Sequence, residues 1–238
     1  MAKHKEKDVA LLRNGILAAV GIIVVGVIIY GTLYSTGATQ SGAFVEGTHY
    51  VEVENPPRRR PTDPIVVTEF FSYGCIHCKN FDPLLDDWLP TLPEDVVFKR
   101  SPVAFSPAWA MLGQSYLALE SVDALDANHR RIFRAIHDQG RQFASVDMIA
   151  DFVDGRGVTK DEFMEAYNST RVRRALATGD AHQRTFAIAS VPTLVVADKY
   201  VISMDVGRRQ ALEVVDYLIA LEQNERQPEV SDGRETSP

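Results

Sequence analysis

The sequence predicts an α/β domain carried behind one membrane-spanning helix, and three observations lead there. First, an apolar, largely β-branched run, Ile65, Val66, Val67, Thr68, Phe70 and Phe71, is followed at once by the chain's two cysteines, Cys75 and Cys78, and then by residues that favour helix. Second, helical periodicity holds over residues 106–186, after which strand character returns. Third, residues 15–34 are almost all Ile, Val, Leu, Ala and Gly, without an acid or a base. The 238 residues exceed what one small domain needs and fall short of two large ones.

The amino terminus looks like delivery apparatus. Lys3, Lys5, Lys7 and Arg13 precede the apolar run, and no acid or base follows Arg13 until Glu46. Twenty such residues in a helix reach about 30 Å, the thickness of a hydrocarbon core. Lysines before the span and none close behind it place residues 1–14 in the cytoplasm, residues 15–35 across the membrane as a signal-anchor and everything beyond on the far side. A cleaved signal peptide is the alternative, with Thr36-Gly37-Ala38 as a weak cleavage site, although the run is longer than such peptides need. Gly21, Gly26 and Gly31 recur every five residues and so make no G-x-x-x-G dimer face. Residues 36–46 are mostly small and polar and read as a flexible linker.

The folded part is expected over residues 47–221. Residues 50–54 alternate as a short strand, residues 55–64 form a proline- and arginine-rich loop, and the apolar strand leads through the cysteines into a helix over 79–89. A breaker at 90–94 precedes a strand at 96–98. Ser106 then caps a helix with Pro107 at its first position, and Trp109, Leu112, Tyr116 and Leu119 share a face. Leu125, Ile132, Phe133 and Ile136 form a second stripe; Val146, Ile149, Phe152 and Val153 form a third. Thr159 with Glu162 spells a capping box, and a further helix starts near 170. The stripes read as core, and His129, His137 and His182 as surface or packing residues. Strand character returns at 191–197, broken at its start by Pro192, which lacks the N–H a ladder needs and so marks a strand's first residue or a special turn; a hairpin strand at 199–203, a helix at 211–221 and a disordered polar tail over 222–238 complete the chain.

The chemistry concentrates at Cys75 and Cys78. If Cys75 opens a helix, unpaired backbone N–H groups and the positive end of the helix dipole favour its thiolate. Three residues on, Cys78 lies on the same face, within the separation a disulfide needs. His77 adds a ring that can carry positive charge beside the sulfur. A structural zinc site lacks a second pair of ligands, a purely structural disulfide would close too short a loop to constrain much, and two inert thiols would not need this setting. Redox exchange is the reading that remains. An exported domain with one reactive pair fits the compartment in which disulfides persist. The formal charge of −7, without a long basic stripe, argues against a nucleic-acid partner, and no residue pattern asks for a metal or another cofactor.

Three motifs together, E-F-F-S-Y-G-C-I-H-C at 69–78, V-P-T at 191–193 and E-G-T-H-Y at 46–50, resemble the DsbA-type thiol:disulfide oxidoreductases of the bacterial periplasm. The resemblance covers residues 46–221 and implies a thioredoxin fold with a helical-domain insertion at about 106–186. It implies that Cys75 is the exposed nucleophile, Cys78 the buried resolving thiol, His77 a tuner of the thiolate, and Val191-Pro192 a cis-proline loop that meets an extended substrate beside Ile76. Glu69 matches a buried acid that moves protons for the inner thiol, and can equally be a structural partner of Lys99 or Arg100. The implied partners are reduced exported proteins, a DsbB-type quinone-linked membrane oxidase and the inner membrane, with the catalytic domain in the periplasm. Ile76 departs from the proline of the best-known members, whereas Lys79 and Pro83 look like thioredoxin itself. Rival readings are a membrane-tethered reductase or isomerase, for which a dimerisation domain and a threonine at 191 are missing, and a non-catalytic peptide-binding or chaperone module.

Overall fold

The computed structural model describes residues 44–60 and 62–226, together with Gly21, Val25 and Gly26. The chain divides after Val45, and the unit that begins at Glu46 contains the fold. In the first unit, Gly21, Val25 and Gly26 are helical. The expected span over 15–35 otherwise lies outside the described residues, as do residues 1–14, most of the linker and the tail beyond 226. Among the described residues no helix is long and apolar enough to cross a membrane.

Five strands form one mixed sheet in the order β1-β5-β4-β2-β3, with β1 Tyr50–Glu52, β2 Ile65–Phe71, β3 Val96–Pro102, β4 Thr193–Val196 and β5 Tyr200–Ile202. β2 and β3 run parallel, and the other pairs are antiparallel. β2 has a partner on each side, and six of its seven residues are buried, which is why it reads as a continuous apolar run rather than an alternating one. The period of two still sorts its side chains. Phe71 joins a core with Tyr73, Cys75, Cys78 and the helical insertion, while Phe70 joins Val103, Phe186, Ile188 and Val195.

Helix α1, Ile76–Trp88, begins directly behind β2 and contains Pro83 in its interior. The helix starts three residues earlier than its apolar pattern suggested, because Cys75 takes the N-cap position with extended backbone at φ −100° and ψ 116°. The insertion comprises α2 Pro107–Ser121, α3 Leu125–His137, α4 Val146–Val153, α5 Lys160–Tyr167 and α6 Thr170–Thr185. Three of its five helix starts carry a side-chain cap. Ser106 accepts from the N–H of Trp109 at 3.2 Å, Thr159 and Glu162 form the reciprocal capping box, and Ser169 accepts from the N–H of Val172. Leu119, Ile132, Ile149, Ala150, Val153 and Phe163 close the core between these helices.

α7, Arg208–Arg226, packs on the sheet and runs five residues past the start of the expected disordered tail. Tertiary contacts override its polar composition there. Lys199 Nζ lies 3.3 Å from Glu222 and 3.4 Å from Glu225, Gln223 donates to Asp95 at 2.8 Å, and the Arg226 guanidinium donates to the carbonyl of Asp63.

Phe163 is fully buried at the centre of the insertion. Phe163→Ala is expected to destabilise the domain by about 3–5 kcal/mol through lost burial and a residual cavity, read by chemical denaturation; a loss well under 1 kcal/mol would show that the insertion is not closely packed there.

Candidate functional site

The site is assembled where the C-terminal end of β2 turns into α1 and meets the start of β4. Tyr73 and Gly74 make the turn. Gly74 is required by close packing, since a Cβ there would lie 2.5 Å from Nε1 of Trp109 on α2. Ser72 organises the corner: its hydroxyl accepts from the N–H of Gly74 at 3.1 Å, and its carbonyl from the N–H of Cys75 at 3.0 Å.

Cys75 occupies the N-cap of α1 without offering the side-chain oxygen that normally satisfies the first N–H groups. Those donors face the sulfur instead. The Cys75 thiol is pulled down to about 6, first by the hydrogen bond from the Cys78 thiol, then by the backbone N–H groups of Cys78 and His77 and by the charge of a protonated His77, against the opposing effect of burial. Cys78, 1 % exposed, is pushed far up by burial and by its donation to Cys75, with the charges of Glu69 and Cys75 adding. Two cysteines one helical turn apart therefore differ sharply: one gives up its proton readily and the other holds it.

The peptide bond between Val191 and Pro192 is cis. The Val191 carbonyl lies 3.3 Å from Cys75 Sγ and accepts from the thiol when Cys75 is protonated. Ile76 projects from the first turn of α1 with 42 % of its surface exposed, and Phe105, equally exposed, stacks on Trp109 with ring centroids 5.7 Å apart. His77 is exposed, its Nδ1 3.4 Å from the guanidinium of Arg208. Of the residues singled out from the sequence, Cys75, Cys78, Val191 and Pro192 converge on one point, with Ile76 and His77 at the rim.

Glu69 lies behind this point, 2 % exposed in the middle of β2. The parallel register places it opposite Arg100 on β3, whose Nε donates to Oε2 at 2.9 Å, so Arg100 rather than Lys99 is its partner. Burial raises the Glu69 carboxyl to about 7; the charge and hydrogen bond of Arg100 restrain the rise, and the charges of Asp82 and Cys75 add to it.

The second carboxylate on Arg100, Asp82, was not expected from the sequence. It sits on α1 four residues after Cys78, on the same face, and accepts from Arg100 Nη2 at 2.9 Å and from His129 Nε2 at 3.0 Å. Helical spacing from Cys78 is the one signal that pointed to it. His129, expected to be surface or packing, is buried and takes Tyr73 Oη on its other nitrogen at 2.9 Å. Among the described residues no cluster of side chains can hold a metal ion.

Comparison with known proteins agrees with this geometry. The DSBA-like thioredoxin domain family matches residues 94–218. The thiol:disulfide interchange protein DsbA of Pseudomonas aeruginosa is 35 % identical over 189 residues, covering 78 % of this chain and 89 % of the relative. This chain belongs to the DsbA family. The DsbA of Azotobacter vinelandii is 34 % identical over 209 residues, covering 85 % of this chain and 98 % of the relative. The crystal structure of P. aeruginosa DsbA superposes with a TM-score of 0.73 at 34 % identity over 78 % of this chain and 97 % of that one, and that of the Xylella fastidiosa oxidoreductase DsbA with 0.71 at 30 % over 76 % and 98 %. The DsbA-type fold, a thioredoxin-like sheet with a helical insertion, and the enzyme class, thiol:disulfide oxidoreductase, follow from that membership.

A thiol with its midpoint near 6 is about nine-tenths ionised at pH 7. The thiolate absorbance of the reduced protein at 240 nm is expected to rise with a midpoint about 6 and to vanish in Cys75→Ser. A midpoint at the ordinary thiol value would mean that the helix start does not stabilise the anion.

Proposed function

We propose that this chain oxidises cysteine pairs in exported proteins, cycling its own Cys75–Cys78 pair between disulfide and dithiol. The observation that carries the reading is the placement of Cys75 at the uncapped start of α1, where backbone N–H groups favour its anion, since stabilising the thiolate makes the reduced enzyme the favoured product and Cys75 a fast leaving group. A substrate thiolate attacks Cys75 Sγ; the Cys75–Cys78 bond breaks and Cys78 leaves as a thiolate. Buried and surrounded by negative charge, Cys78 cannot keep that charge and takes a proton. Glu69, with its midpoint near 7, is placed to hold one at neutral pH and pass it on. The substrate's second thiolate then attacks the substrate sulfur of the mixed disulfide, the new substrate disulfide forms, and Cys75 departs as the stabilised thiolate. Two electrons have moved from substrate to enzyme.

Val191 and Pro192 form the wall against which an extended substrate segment pairs through its main chain, with Ile76 and His77 at its edge. Main-chain pairing tolerates many sequences, which suits an enzyme that meets varied unfolded chains. Return to the disulfide needs an electron acceptor, and a quinone-linked membrane oxidase of the DsbB type is the partner that family membership suggests. The domain works in the periplasm, held at the inner membrane by residues 15–35 as a single uncleaved span, with residues 1–14 on the cytoplasmic side; the apolar run and the lysines before it support this placement.

Equilibration of the full chain with glutathione buffers measures the direction of transfer. A potential well above the roughly −270 mV of thioredoxin is expected; a value as reducing as that would reverse the assignment to a reductase. Fractionation tests the tether: the intact chain, with its amino-terminal residues, is expected to remain in the membrane pellet after alkaline carbonate extraction, and release of a shortened soluble form would assign residues 15–35 to a cleaved signal peptide.

A further inference from the structure

Five buried or part-buried polar side chains behind the cysteines, Tyr73, His129, Asp82, Arg100 and Glu69, form one continuous hydrogen-bonded chain. Arg100 donates from Nε to Glu69 and from Nη2 to Asp82. It has no acceptor, so both carboxylates lean on the same cation. Asp82 Oδ1 also receives His129 Nε2 at 3.0 Å, and an ionised carboxylate only accepts, so Nε2 carries the hydrogen. Burial works against a charge on His129, and in the neutral ring with its hydrogen on Nε2 the other nitrogen, Nδ1, is bare. Nδ1 is then the acceptor for Tyr73 Oη, 2.9 Å away. The order is Tyr73 to His129 to Asp82, met from the other side by Arg100, which also serves Glu69.

The groups around it come from every neighbouring element. Asp82 and the cysteines belong to α1 and its cap, Arg100 to β3 and Glu69 to β2; α2 adds the Tyr116 ring, 5.9 Å from His129, and its hydroxyl is directed to Glu120. α3 adds Asp126, and Arg130, whose Nε lies 3.8 Å from Asp82 Oδ2. Among the described residues Arg100, its side chain 16 % exposed, is the more enclosed of the two cations at the acids, the Arg130 side chain being 63 % exposed. Two carboxylates that share one buried guanidinium titrate as a pair, and the proton they take up near neutral pH goes to whichever has fewer other donors. Asp82 has His129 as a further donor. Glu69 has Arg100 alone among the described side chains.

We propose that His129 is a positioning residue for the redox site: by donating Nε2–H to Asp82 it keeps that carboxylate ionised and so assigns the shared proton to Glu69, the acid whose charge bears on Cys78. Tyr73 completes the device by occupying Nδ1, which holds the ring in the tautomer that can donate. The assignment deepens the acid–base role given to Glu69 above and rests on it for its consequence, though not for its geometry.

Carboxyl ¹³C shifts of the reduced full chain in detergent micelles, labelled in Glu and Asp and assigned by loss of the signal in Glu69→Gln and Asp82→Asn, read the two acids separately. In the wild type, Glu69 is expected to titrate at about 7 and Asp82 below the usual carboxylate range. His129→Phe removes the donor but keeps a ring. The Asp82 midpoint is then expected to rise into the range where Glu69 titrates and that of Glu69 to fall, because an Asp82 neutralised in that range no longer opposes ionisation of its neighbour. His129→Gln, whose amide can still donate, is expected to keep both midpoints near wild type. Unchanged midpoints in a folded His129→Phe would overturn the assignment. So would ¹⁵N shifts of the wild-type imidazole showing a charged ring or an Nδ1–H tautomer between pH 5 and 8, a measurement that needs no variant. If the midpoints move as expected but the pH profile of thiol oxidation by His129→Phe stays put, the positioning role stands and the proton-transfer role of Glu69 falls.

Discussion

The structure depends on one arrangement, a sulfur atom set where a helix begins. An N-cap residue normally supplies an oxygen to the first free N–H groups, and here Cys75 supplies none, so the donors of His77 and Cys78 are left to a thiolate. Everything nearby serves that placement. Buried β2 delivers the chain to the point, and the Ser72 and Gly74 corner turns it tightly beneath Trp109.

The two cysteines obey opposite rules although they share a turn of helix. Exposure to backbone donors lowers the proton affinity of one; enclosure among apolar side chains and carboxylates raises that of the other. Exchange between thiols and disulfides needs this asymmetry. The outer sulfur must leave readily as an anion, and the inner one must be protonated when its bond breaks.

A buried acid behind the inner cysteine is costly unless partnered, and the domain partners it sparingly. Glu69 receives one guanidinium and shares it, so its carboxyl stays near neutrality instead of being held fully ionised. The aromatic residues Phe71, Tyr116 and Phe133 surround the His129 ring. The insertion is therefore part of the redox site as well as a cover over it, since α3 supplies the donor that Asp82 needs. Gln183 Oε1 is the one buried side-chain polar atom without a partner among the described residues, so the cluster itself is fully satisfied.

Local patterns in the sequence were enough for the elements. The apolar β-branched run specified β2, Ser106-Pro107 and the Thr159/Glu162 box placed helix starts, and the spacing of Cys75 and Cys78 after a strand identified the chemistry. These features act over a few residues, so a single chain displays them. Interactions between distant residues had to wait for the fold. The pairing of Arg100 with Glu69 depends on strand register, the burial of His129 on how α3 packs against α1, and the ordering of residues 222–226 on side chains from Lys199, Asp95 and Asp63. By itself the sequence determined which atoms could carry the reaction; only the tertiary structure decided how strongly each holds its proton, because that depends on burial and on charges brought together from far along the chain.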